Sequence, residues 1–443
     1  FMTIESMLGL HQLFASPISN GGLSLDFSDS FFFYQNGAFY SSYSYFDGLT
    51  YTPSKAAPVM REMIKTGHLD AMHALGDFEN GQFYRHFAEY ALEELDKFGL
   101  SVPIWSNHGG FGNIQNIGTE EFFYHHSGDD LNRPFYILDI LEDMGVRYFW
   151  LDAYLCKQIG LSVWNEIPKE AERKVPRKRS RQSASKIWTT FQPKWSFDRT
   201  NAMSIAKTRA GNSLQIFSRY DPFLPGADSN INPSNILLPN GRRPGPNIGR
   251  IADSLTNDLM DKLVDTGGSC ILYQHFSTLA HLPQRTHMTA ALEFHPNNLE
   301  ALHRLSREQQ NGRIWVPSLS TYLQYLTMIN TTKVVVRERD SVVMIYVTPK
   351  QGHALAPLDG LTVEVPKNTR KAVFKLPGGI EYQASLVGQD NECCDFAMLP
   401  IRRLEMIDWV ALAKEAGVQL QEIPKVTLLD GSKPVSLAMP DML

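Results

Sequence analysis

Residues 67–78 read GHLDAMHALGDF, residues 84–99 read YRHFAEYALEELDKFG, and residues 100–112 read LSVPIWSNHGGFG. Two short apolar runs each close on a histidine, His73 and His108, and a loop follows each. Between them Phe87, Tyr90, Ala91, Leu95 and Phe98 recur at the spacing of one helical face. The pattern predicts a strand, a crossover helix and a second, parallel strand, with an imidazole at the exit of each strand. Parallel strands present their carboxyl ends to one rim, where α/β enzymes collect their chemistry. One histidine at a strand exit means little; two in succession point to a site.

The same rhythm extends in both directions. Strands are expected at 22–27, 69–74, 102–107, 147–152, 214–219, 269–274 and 313–316, separated by helical or irregular connections. Crossovers between parallel strands are right-handed almost without exception. The expected fold class is therefore α/β, a distorted seven-stranded (β/α) barrel over residues 1–330. It carries an insertion near 164–212 whose KEAERKVPRKRSRQSASK run is basic and lacks apolar periodicity. That run reads either as a solvated surface or as a patch for an anionic partner. After residue 330 short alternating strands separated by Asp, Pro and Gly predict a small all-β sandwich over 331–403, then a closing helix and tail over 404–443.

Composition narrows the function classes. Lys and Arg number 42 against 47 Asp and Glu, a net charge of −5, so no global basic field points to nucleic acid. No apolar run reaches the length of a membrane span. The opening FMTIESMLGLHQLF lacks a basic leader and a small-residue cleavage site, so it does not read as a secretory signal, and Phe1 ahead of Met2 suggests residues upstream. Four cysteines without metal-ligand spacing fit a reducing, cytoplasmic setting. The sequence is silent on oligomeric state. Aromatic residues make up 11%, which serves either a large core or sugar-stacking platforms.

The expected strand exits carry Asp26 or Asp29, His73, His108, Asp152 and His275. A carboxylate with two imidazoles is a familiar ligand set for zinc or another divalent metal, which activates water and polarises a carbonyl. A second carboxylate can then act as base and a further histidine as acid. Asn107, Asp152 and Trp105 are placed to line the same rim as substrate contacts. Taken singly, each histidine also fits a structural role. The pair His125-His126, in the long loop after His108, reads as exposed loop or as part of a lid. No Walker lysine loop, no GxGxxG after a strand, no GxSxG elbow and no HExxH occurs.

In order and content these segments resemble the polysaccharide deacetylase superfamily (carbohydrate esterase family four and its divergent relatives). LSLDFSDS at 23–30 is similar to the family's first-strand aspartate motif, HLDAMH at 68–73 to its paired-histidine motif, and GGSCILYQH at 267–275 to its late leucine-x-histidine motif. The resemblance covers residues 20–330 and implies a distorted seven-stranded (β/α) barrel that deacetylates a sugar or polysaccharide with a divalent metal, zinc above all. It implies Asp26 as base, Asp29 and His73 as metal ligands and His275 as acid. His108 enters by position, in place of a lost ligand. This sequence departs from the pattern in splitting the aspartates by Phe27 and Ser28, in spacing His68 and His73 by four residues, and in lacking the arginine-x-proline motif.

Two other readings compete. A glycoside hydrolase would use two carboxylates such as Asp26 and Asp152, roughly 5–10 Å apart. A catalytically silent glycan-binding or polysaccharide-assembly protein would instead rely on rim aromatics, namely Phe31, Phe33, Tyr34, Trp105 and Trp150.

Overall fold

The computed structural model describes residues 4–35, 43–76, 78, 82–108, 113–118, 126–151, 161–162, 203–208, 210–217, 251–274, 296–339, 342–388 and 394–420. The fold is mixed α/β with several sheets. Helix α1 (Ile4–Ala15) forms where a short lead-in was expected, and it is buried along most of its length. The alternating Leu23 and Leu25 do not make a strand. Their amides instead donate to Leu13 and Phe14 carbonyls at the end of α1, and strand β1 begins later, at Asp29–Phe31.

From there the expected alternation holds. Helix α2 (Ala57–Lys65) leads to β2 (Leu69–His73), α3 (Arg85–Phe98) to β3 (Ile104–Ser106), and α4 (Leu138–Asp143) to β4 (Tyr148–Trp150). Helix α3 ends because Gly99 takes the left-handed conformation, φ 61°, and returns its N–H to Leu95 and Asp96 carbonyls. Its buried face is Phe87, Ala88, Ala91 and Leu95. Tyr90 and Phe98, expected on that face, stay exposed: Tyr90 stacks on Tyr51 at 3.8 Å, and Phe98 lies under the Arg61 guanidinium at 3.9 Å.

A two-residue strand, β5 (Leu161–Ser162), precedes β6 (Met203–Lys207) and β7 (Ser213–Phe217). The principal sheet has the order β1-β2-β3-β4-β7-β6, parallel through β7 with β6 antiparallel at its edge. Among the described residues it does not close into a barrel. Helices α5 (Ile251–Ser254) and α6 (Asn257–Thr266) precede β8 (Ser269–Cys270), which pairs with β5 outside the principal sheet. The expected last strand, 313–316, is irregular and follows α7 (Pro296–Gln310).

Register explains why the sheet stays open. One face carries Met72, Trp105, Phe149 and Ile216, which pack with the apolar faces of α2, α3 and α4. The other carries Ala71, Ile104, Tyr148, Trp150 and Phe217. In a closed barrel side chains from opposite strands would fill that second face. Here helix α8 (Leu319–Thr331) covers it with Leu323 and Leu326.

Helix α8 runs without a linker into β9 (Thr332–Arg339), which hairpins to β10 (Val342–Pro349). Strands β11 (Thr362–Pro366), β12 (Lys371–Lys375), β13 (Glu381–Gln383), β14 (Ser385–Gly388) and β15 (Cys394–Met398) complete two sheets, ordered β13-β12-β10-β9 and β11-β15-β14. Val343, Ile345, Phe374, Val365 and Ala397 share one apolar cluster between them. Pairing is antiparallel as expected, except that β10 and β12 run parallel. Helix α9 (Trp409–Glu415) then returns to the first half, where Trp409 stacks on His11 of α1 at 5.5 Å. No helix among the described residues is long and apolar enough to cross a membrane.

Candidate functional site

Strands β2 and β3 deliver their histidines to the same end of the sheet. His73 is the last residue of β2, and His108 follows the end of β3 by two residues. Their ring centroids lie 4.4 Å apart with the planes at 86°. Phe32, just beyond β1, stacks on His73 at 5.4 Å and meets His108 edge-on at 5.0 Å. Ser30 places its hydroxyl 3.4 Å from His73 Nδ1. Tyr273 completes the surroundings, 6.5 Å from the His73 ring and 4.9 Å from Trp150.

The loop after His108 is long because it builds a buried polar staple. Asn113 and Asn116 both donate from Nδ2 to the His108 carbonyl, at 2.7 and 3.0 Å, while the His108 N–H donates to Asn116 Oδ1 at 3.2 Å. Gln115 treats the segment after His73 in the same way. Its Oε1 accepts from Leu75 N at 2.9 Å, and its Nε2 donates to Gly76 O at 2.7 Å. Buried backbone needs such partners, and side-chain amides supply a donor and an acceptor together. Gly128 is required here: a Cβ would sit 2.2 Å from the Gln115 carbonyl oxygen. His126 is buried beside this network, 3.5 Å from Asn116 Nδ2, and is not the exposed loop residue expected; His125 lies outside the described residues.

Asn107 and Trp105 belong to the scaffold, not to a substrate surface. Asn107 Oδ1 accepts from Trp105 Nε1 and from Ile117 N, both at 2.9 Å, and its Nδ2 donates to the carbonyls of Ile117 and Leu151 at 2.8 and 2.9 Å. Every hydrogen-bonding position of that amide is taken by protein. Trp105 is fully buried on the helix-covered face. Phe31, Phe33 and Tyr34 are likewise core residues, and Trp150, which packs on Tyr273 near the histidine pair, is buried as well.

The expected metal set does not assemble. Asp29 pairs in register with Leu69, four residues before His73, which is about 13 Å along the strand. Its carboxylate belongs to a buried group at the opposite end of the sheet, 3.6 Å from His11 Nε2. His68 and Trp409 complete that group around His11. Burial lowers the His11 pKa, and burial beside His11 lowers that of His68 to about 3, so both rings are neutral. Among the described residues no three His, Cys, Asp or Glu side chains gather as they would around an ion. His73 and His108 offer two imidazoles; Asp29 does not join them.

Asp26 is not placed as a base. Arg403 grips both its oxygens at 3.2 Å and also donates to the Ser24 carbonyl, tying the segment before β1 to the segment after β15. His275 and Asp152 lie outside the described residues. Ser30, Phe32 and Tyr273 are not among the expected site residues: β1 begins at Asp29 and not at residue 22, and Tyr273 precedes the expected acid His275 by two residues. The amide-rich run NIQN at 113–116 was the available signal for the staple.

One carboxylate is buried within the sheet itself. Asp70 Oδ2 accepts from Ser28 Oγ at 2.8 Å and from Ser320 N at 2.9 Å, so it caps the start of α8. Burial outweighs those hydrogen bonds and pushes its pKa up to about 6.

No protein-family model matches this sequence, no curated protein is similar to it, and no solved structure matches its fold.

Proposed function

We propose that this protein is a carbohydrate-directed hydrolase, removing acetyl groups from a sugar or polysaccharide, with His73 and His108 at its centre. The observation that carries this reading is the perpendicular pair of imidazoles, 4.4 Å apart, delivered by successive parallel strands. In hydrolysis one imidazole takes a proton from water as the water oxygen bonds to the acetyl carbon. The other gives a proton to the departing sugar oxygen or nitrogen. Ser30, with its hydroxyl at His73 Nδ1, helps orient that ring. Phe32 and Tyr273, both partly exposed, supply rings against which a sugar can lie. Five parallel strands, the first four joined by crossover helices, are what an open relative of the deacetylase barrel would retain.

A divalent metal would find two donors in His73 and His108, but Asp29 stands apart from them. That same separation favours one alternative, a glycan-binding protein without catalysis.

Acetylated oligosaccharides incubated with the protein, with and without added zinc, cobalt or manganese, test the reading. Acetate release is expected from the intact protein. His73→Ala and His108→Ala should each lower it by about 100-fold or more at unchanged fold by circular dichroism. Release that survives both substitutions, or none from any substrate, would overturn the hydrolytic reading.

A further inference from the structure

The outward face of the sheet β13-β12-β10-β9 bears an arrangement unlike the rest of the chain. Alternation along β10 sends Val343, Ile345 and Val347 inward to the core, so Met344, Tyr346 and Thr348 point outward. Register then places Val335, Tyr346, Lys375 and Glu381 in one row across the four strands. The next row is Arg337, Met344, Val373 and Gln383; Lys333 stands opposite Thr348, and Lys371 opposite Val342. Lys333, Arg337 and Lys375 thus flank one tyrosine, and Lys371 stands about 13 Å further along the same face.

The Arg337 guanidinium lies 5.2 Å from the Tyr346 ring centroid. Glu381 is the one carboxylate at a paired position of this face, and it engages Lys375 at 2.6 Å. Among the described residues no carboxylate pairs with Lys333, Arg337 or Lys371. In a chain of net charge −5, this concentration of positive charge runs against the whole. It also lies on a face that the core does not use.

We propose that this face binds an acidic polysaccharide, its carboxylates meeting Lys333, Arg337, Lys371 and Lys375 while the apolar face of a sugar ring lies on Tyr346 and Met344. The choice of a glycan rests on the carbohydrate reading of the histidine site. Charge density supports it independently. A duplex carries one charge per about 1.7 Å, which a face of four cations on a net acidic chain matches poorly. A polyuronate carries at most one charge per sugar and offers C–H surfaces to an aromatic ring. Lys371 and Lys375, four residues apart on β12, are separated by about 13 Å, which suits such sparse charges.

Binding of the full-length protein to immobilised polygalacturonate, read by biolayer interferometry, tests this. Neutral dextran, single-stranded DNA and phosphatidylglycerol vesicles serve as comparisons. Polygalacturonate is expected to bind with an affinity that falls as salt rises. The double substitution Arg337→Glu with Lys371→Glu should weaken it about tenfold or more, and Tyr346→Ala several-fold, with unchanged melting temperature. Absence of binding, equal binding to dextran, tighter binding to DNA or vesicles, or indifference to the charge reversal would each overturn the proposal. His73→Ala should bind as the wild type does. Failure of acetate release and failure of this face are thereby told apart.

Discussion

Asn107→Ala is expected to cost on the order of 3–5 kcal/mol, one of the largest losses any single substitution would cause in this chain. The amide makes four hydrogen bonds inside the protein, to Trp105, twice to Ile117 and to Leu151. Truncation leaves the indole N–H, one amide N–H and two carbonyls facing a space with no partner. Each buried orphan costs about 1–3 kcal/mol, and relaxation or an entering water recovers part of the sum. Asn107→Asp keeps the shape and both acceptor contacts but sets a carboxylate against two carbonyls, so it should be at least as harmful near neutral pH. Urea titration followed by tryptophan fluorescence measures both variants. Midpoints within error of the wild type would show that the four bonds of the Asn107 amide contribute nothing to stability.

Asp70→Asn is expected to act in the opposite direction, by an amount that grows as the pH rises from about 4 through about 6. The folded-state pKa of Asp70 is raised from 3.8 to about 6 by burial. A group whose folded pKa lies above its unfolded value adds stability that is complete below the unfolded pKa. That contribution is lost as the pH rises through the folded one. A shift of this size corresponds to about 3 kcal/mol, so near neutral pH the ionised carboxylate holds the fold that far below its acid-side stability. Asparagine can accept from Ser28 and Ser320 without ionising. The variant should match the wild type near pH 4 and exceed it by about 2–3 kcal/mol at pH 7.5. Thermal midpoints at the two pH values check this; a difference that does not change with pH would sink it.

Much of the first half was legible because its strands and helices have different periods. Leu69–His73, Ile104–Ser106 and Tyr148–Trp150 fall inside expected strands, and Ser213–Phe217 overlaps the one expected at 214–219. Local alternation failed at Leu23 and Leu25, which are buried without strand pairing because α1 offers its terminal carbonyls instead. A period of two reports burial on one side, not the identity of the hydrogen-bond partner. Closure failed for a related reason. Apolar residues on the second sheet face read the same whether they meet opposite strands or α8, and only coordinates distinguish the two.

Of the site, the two histidines were visible because strand exits are marked by apolar runs that stop. The error at Asp29 arose from register. Starting β1 some seven residues later than expected leaves Asp29 at the entrance of its strand, not at the exit. Asn107 was misread because a polar residue beside a site and a polar residue bracing one look alike in a single sequence. Only the saturation of its four bonds separates the roles.

Helix α8 finally constrains how the two halves can move. Its Leu323 and Leu326 belong to the core beneath the histidine-bearing sheet, its Met328 belongs to the core of the β-rich half, and β9 starts at the residue after its end. The connection therefore behaves as an axle keyed into both bodies, and swivelling one against the other would require the rod itself to snap or withdraw from a core. A polymer pulling on the lysine-rich face would transmit torque straight to the Ser318 end, where Asp70 and Ser28 anchor it.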